Sequence, residues 1–180
     1  MTLEIKATIL GILAGGIAVM LGMWPTSRRN SETHERLRFP RLVAISLAVV
    51  SAALIAVGLV SGTLTTHLVQ ILPVAIVLTL LAGSPQWGSA AAGSVLSFWL
   101  VTMVGIWLFL LGLSRFLTGT FSPTEITLTV VIGVASLVGL AANGRTGGLS
   151  LTTRVPAAVV AAGLQALALW FSYQPIVTGR

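Results

Sequence analysis

The sequence predicts an all-α, polytopic integral membrane protein, a bundle of six transmembrane helices joined by short loops, on three observations. Of 180 residues 56% are hydrophobic and only 8% charged, with a mean hydropathy of +1.01, whereas a soluble domain carries about 25% charged residues. Six apolar stretches approach the roughly 20 residues that a helix needs to cross a hydrocarbon core about 30 Å thick. Runs such as Ile71 to Leu78 are apolar on every face, which excludes the strict alternation of a membrane barrel. Spanning helices satisfy their own backbone polar groups, so a single transmembrane domain over residues 1–180 follows.

The first span, Ile5 to Met23, is closed by Trp24-Pro25. Gly11, Gly15, Ala18 and Gly22 fall at i, i+4, i+7 and i+11, one stripe of small residues. Such stripes let backbones approach closely in lipid, so this one is a helix-packing face or a face for a partner. Gly22-Met23-Trp24 is a poor small-x-small cleavage site, and the span is expected to be retained.

Pro25 to Arg41 is the long hydrophilic stretch, read as a basic loop. Arg28, Arg29, Arg36, Arg38 and Arg41 are mixed there with Glu32, His34 and Glu35. Near an anionic leaflet each basic residue contributes about 1 kcal/mol, so these arginines are expected to contact lipid headgroups or an acidic partner.

The second span, Leu42 to Gly62, carries a small-residue stripe in Ala44, Ala48, Ser51, Gly58 and Gly62. In the third, Thr66 to Gly83, His67 and Gln70 share a face at i and i+3, either a polar lining or a solvated helix start, with Pro73 one turn later. The fourth, Gly88 to Leu113, has the stripe Ala90, Ser94, Ser97, Gly105 and Gly112, with Trp99 and Trp107 inside it. Ser122-Pro123-Thr124-Glu125 reads as a capping box opening the fifth span, Glu125 to Asn143, with Ser at the N-cap and Glu three residues on. That assigns Glu125 to the helix start and not to ion coupling. A shorter stripe, Ala135, Gly139 and Ala142, follows.

The loop Asn143 to Arg154 contains glycines but lacks the Gly-Lys-Ser/Thr ending of a P-loop. The sixth span, Val155 to Tyr173, holds one strongly polar residue, Gln165, on the face of Ala158 and Ala162. It is expected to line a path or bond a neighbouring helix, with Thr79, Ser97, Thr102 and Ser136 as candidate partners.

Counting Lys and Arg by loop sets the orientation. The first and fifth loops hold seven of the ten, and the other side has Lys6, Arg115 and Arg180. The positive-inside rule then puts both termini outside and the basic loops in the cytoplasm of a bacterial inner membrane. The net charge of +6 thus reflects topology and not nucleic-acid binding, since no base-stacking aromatics interleave the arginines.

Chemistry is sparse. There is no Cys and no Asp, and His34 and His67 are expected on opposite sides of the bilayer, too far apart to share a metal. No catalytic residue, metal or cofactor is expected. Two readings remain. One is a non-catalytic subunit of a larger membrane complex, partnered by lipids and by other membrane subunits or a second copy. The other is a small permease or channel for a neutral or apolar solute, with Gln165, His67, Gln70, Ser97 and Thr102 as polar lining. Six spans in about 180 residues with a small-residue first helix resemble the substrate-binding subunits of energy-coupling-factor vitamin transporters. That likeness implies a first helix that docks a membrane coupling protein. Those subunits are expected to have cytoplasmic termini, contrary to the charge count here, and no family is assigned.

Overall fold

The computed structural model describes residues 33–115, 119–144 and 150–179. The first predicted span with its face Gly11, Gly15, Ala18 and Gly22, and the loop residues Arg28 and Arg29, lie outside the described residues. Among the described residues every regular element is a helix: α1 (Thr33–Val60), α2 (Leu64–Gly83), α3 (Pro85–Leu110), α4 (Pro123–Asn143), α5 (Leu151–Ser172) and the single turn α6 (Pro175–Thr178). The first five are long and apolar enough to cross a membrane, α1 from Pro40 and α5 from Arg154. They correspond to the second through sixth predicted spans.

One boundary differs in a way that matters. The stretch read as loop up to Arg41 is helical from Thr33. In the sequence Glu35 and Arg38 stand at i, i+3, a spacing that supports a charged helix in water. Pro40 has no N–H for the carbonyl of Arg36, so one intrahelical bond is lost where the charged turns give way to the span.

At the other boundaries local chemistry sets the ends. α3 stops at Leu110, three residues before the predicted limit, because Gly112 adopts φ 71°. There the Leu113 N–H reaches Leu108 O and the Gly112 N–H reaches Phe109 O, both at 2.9 Å. This is a Schellman closure, which a residue without Cβ accommodates at no steric cost. The start of α4 carries the expected capping box. Ser122 N–H donates to Glu125 Oε2 at 2.6 Å, and Glu125 N–H donates to Ser122 Oγ at 3.3 Å. Ser122→Ala is expected to cost about 1 kcal/mol, read as a lowered midpoint in reversible unfolding, whereas Thr124→Ala next to it is expected to leave the midpoint unchanged.

Successive helices alternate in direction around α3. α2, α4 and α5 pack on α3, while α1 lies along α4 and α2 and only grazes α3. α5 also packs on α2, but α4 and α5 do not meet. α3 is buried on every side from Gly88 to Trp99, a stretch of mostly Gly, Ala and Ser that neighbours can approach closely. At its start Gly88 lies directly against the Leu81 backbone of α2.

Small residues and bulky ones face each other across α1 and α4. Gly139 of α4 sits against Ser46 of α1 and Leu96 of α3, and Ala135 and Ala142 are buried beside it. On α1 the packed face is Val43, Ser46, Leu47, Val50 and Leu54. The predicted stripe of α1 is therefore not its packing face as a whole: Ala48 and Gly62 are exposed. One small face per contact is enough for close approach, and α4 supplies it. The outward surface of the bundle is apolar, with Ile45, Leu72, Leu137, Val160 and Leu167 among its exposed side chains.

Candidate functional site

The end of the bundle where α1 and α5 begin carries Arg41 and Arg154 and is the basic end. Several of the polar side chains inside the bundle lie at one depth. Gly88 touches Leu81, and Trp99 and Gln70 are each eleven residues further from that contact, about 16 Å along their helices. Ser89 donates to Asn143 Oδ1 at 2.7 Å. From there Ser97 is eight residues on and Ser136 seven, about 10 to 12 Å along the axes. Gln70, Gln165, Ser97, Trp99 and Ser136 thus form a polar layer around α3, about midway through the helices.

The amides of this layer join α2 to α5. Gln165, fully buried, donates from Nε2 to the backbone carbonyl of Gln70 at 3.0 Å. Gln70 donates from its own Nε2 to Ser172 Oγ at 2.9 Å, and Ser172 donates to Leu169 O. Pro73 offers no N–H to the carbonyl of Val69, the residue before Gln70, whereas the Gln70 carbonyl that Gln165 uses keeps Val74 as its helical donor and accepts Gln165 in addition. None of the four partners expected for Gln165 is used: Thr79 and Thr102 back-bond to Ile76 O and Phe98 O of their own helices, and the Ser97 and Ser136 hydroxyls have no partner. The Gln165→Leu variant is expected to lose only about 0.6 kcal/mol, and at most about 1.7, the range of interhelical bonds in membranes. The buried Gln165 Oε1 has no partner either, and its removal offsets part of the loss. Denaturant titration in mixed micelles measures it.

His67 stands apart from this layer. Its Nδ1 lies 3.0 Å from Thr63 O and 3.2 Å from Thr63 Oγ1, and its ring packs by Gly58 of α1. It closes the α1–α2 turn, while Gln70, one turn on, faces α5. The expected shared lining of His67 and Gln70 is therefore divided between two jobs. Its distance from Ser94 along the axes is about 12 Å, too far for a hydroxyl–imidazole pair. Among the described residues no group of three or more His, Cys, Asp or Glu could hold a metal ion.

The two interior tryptophans differ. Trp107 donates from Nε1 to Thr129 Oγ1 at 3.0 Å and lies over Gly133 of α4. Trp99 is buried against Phe98, the rings edge to face with centroids 5.8 Å apart, and its indole N–H has no partner. No protein family, curated protein or solved structure matches this chain. The reading of the site therefore rests on its own groups: two amides, two serine hydroxyls and an indole N–H at one depth, without an ionisable side chain among them. Such a set can join helices or hydrogen-bond a neutral molecule. It offers neither a nucleophile–base pair nor a charge for ion coupling.

The helix-joining pairs Gln70–Ser172, Ser89–Asn143 and Trp107–Thr129 were not expected from the sequence. None had a local signal, because each joins residues on different helices, 22 to 102 positions apart.

Proposed function

We propose that the protein is a non-catalytic subunit of a larger assembly in a bacterial cytoplasmic membrane, crossing it six times with its basic loops inside and both termini outside. The observation that carries this reading is the use made of the interior amides. Gln70 and Gln165, the groups a solute path would most need, bond helix to helix. An interior organised for cohesion, with an apolar outer surface and a basic end at Arg41 and Arg154, suits a protein that works by contact with lipid and membrane partners.

Purification in mild detergent from native membranes, followed by mass spectrometry, tests the proposal. A companion membrane protein at constant stoichiometry is expected, and a monodisperse particle without companions overturns it. For the orientation, a tag after Arg180 is expected to be cleaved by external protease in intact cells.

A second reading, a permease for a neutral hydrogen-bonding solute, is favoured by the unpartnered Ser97 and Ser136 hydroxyls, Trp99 Nε1 and Gln165 Oε1 at one depth. It requires that Gln165→Leu and Ser97→Ala alter solute flux into vesicles. Unchanged flux in both variants excludes it.

A further inference from the structure

Arg154 is turned toward the last turn of α2 and meets no carboxylate there. It stands eleven residues before Gln165, so at about 100° per residue it shares the face of Gln165, about 16 Å nearer the basic end. Gln165 reaches the Gln70 carbonyl on α2, α2 runs antiparallel to α5, and Leu81 lies eleven residues after Gln70. Arg154 therefore faces the level at which the Leu81 backbone lies against Gly88 and α2 passes through Ser84 into α3. Neither α3 nor α5 has an acidic residue in its first turn. Of the glutamates among the described residues, Glu125 opens α4 at the far end and Glu35 stands on α1, which does not touch α5. A guanidinium presents a permanent charge on a flat fork of donors that fits the oxygens of a phosphate. Ser84 adds a hydroxyl, exposed and making no cap bond to α3.

We propose that an anionic phospholipid binds at the basic end of the groove between α2 and α5, its phosphate held by Arg154 and Ser84 and an acyl chain lying along α2. The track for that chain follows from the faces of α2. His67 marks the side of α1, because its ring packs by Gly58, and Gln70 marks the side of α5. Leu80 stands about 140° round the helix from His67, beyond Gln70 and so at the edge of α5. Leu80, Ile76 and Leu72, four residues apart, are all exposed and lead from the charged level toward the middle of the bundle. A free phosphate or an acidic peptide has no use for such a track, and a lipid does. Trp87, exposed beside Gly88, sits at the same level, where an amphipathic ring meets headgroups. The site does not require that the protein be a subunit of a larger assembly.

The full chain in mild detergent, titrated with phosphatidylglycerol, tests the proposal. Binding is read as the rise of the thermal unfolding midpoint with lipid concentration. A saturable rise is expected with phosphatidylglycerol and a much smaller one with phosphatidylcholine, whose headgroup carries no net charge. Arg154→Gln is expected to weaken phosphatidylglycerol binding at least about fivefold, the worth of one basic residue at an anionic surface. Arg41→Gln, at the same end but on α1, is expected to keep the parent affinity. Equal losses in the two variants mark a diffuse attraction to the basic end and overturn the proposal, as does parent affinity in Arg154→Gln or a flat response of the parent. A rise of the same size and affinity with inorganic phosphate, which has no acyl chain, overturns it in favour of a free anion. If Arg154→Gln does not fold, Arg154→Lys takes its place, keeping the charge and losing the two-pronged fit. It is expected to bind phosphatidylglycerol more weakly than the parent, and equal affinity overturns the proposal.

Discussion

Trp99→Ala is expected to lose about 3 kcal/mol of stability or more, the largest effect of any single truncation in this bundle. Trp99 is 2% exposed and sits in the polar layer beside Phe98. Truncating a buried tryptophan in a soluble core costs about 3–5 kcal/mol, of which part is transfer to water and part the cavity left behind. In a bilayer the transfer part shrinks, because lipid is as apolar as the core, while the lost dispersion contacts remain. The figure therefore falls toward the lower end. Trp99→Phe separates shape from polarity. It keeps most of the volume and removes an indole N–H that has no acceptor, and a buried donor left unsatisfied costs about 1–3 kcal/mol. Trp99→Phe is thus expected within about 1.5 kcal/mol of the parent, the usual range for a swap that nearly conserves volume. Unfolding by sodium dodecyl sulfate in mixed micelles, monitored by the remaining tryptophans, gives both numbers. If Phe harms as much as Ala, the N–H has an acceptor after all, and a bound polar molecule in this layer becomes the explanation.

The same residue shows where sequence reasoning reached and where it stopped. Its position inside a span was readable from hydropathy alone, as were the five spans that α1 to α5 realise, because each is a property of a contiguous segment. The capping box at Ser122 and Glu125 was readable for the same reason: its two partners are three residues apart. Gln165 was recognisable as a polar group facing a neighbour, yet its acceptor is the backbone carbonyl of Gln70, and every residue has a carbonyl. The choice among Thr79, Ser97, Thr102 and Ser136 looked only at side chains. The Gln70–Ser172 bond joins residues 102 positions apart, so it depends on which helices neighbour each other, and in a bundle of nearly uniform apolar helices hydropathy does not encode that. Small-residue stripes were likewise only half informative. On α4 the stripe faces α1 and α3; on α1 it turns partly outward, because a contact needs one small face and not two.

Gly139 tests that last point with the second largest effect. A Cβ at this position would lie 2.8 Å from both Leu96 Cδ1 and Ser46 Cβ, and 3.1 Å from Ser46 Oγ. Leu96 Cδ1 ends a side chain, but Leu96 is fully buried and has little room to turn. Ser46 Cβ is tied to the α1 backbone, so α1 itself must shift. Overpacking of this kind costs about 1–3 kcal/mol, against a gain of about 1 kcal/mol from replacing Gly by Ala inside a helix. The Gly139→Ala variant is expected to be less stable by up to about 2 kcal/mol, and Gly139→Leu, which must separate α1 from α4, is expected not to yield a monodisperse protein. The compensating change follows from the geometry. Ser46→Gly removes the Cβ that the introduced methyl would strike, so the double variant is expected to recover part of the loss, with a coupling above about 0.5 kcal/mol; Ser46→Ala keeps that Cβ and removes only the 3.1 Å contact of Oγ, so it is expected to rescue less than Ser46→Gly. Gly163 of α5 supplies the control, since a Cβ there meets nothing within 4 Å. Gly163→Ala should therefore show the propensity gain alone, neutral to about 1 kcal/mol more stable. Opposite signs at Gly139 and Gly163, two glycines alike in any hydropathy plot, separate a glycine that sets an interhelical distance from one that merely faces lipid. Equal effects at the two sites would mean that α1 and α4 are not held at the spacing on which the whole bundle depends.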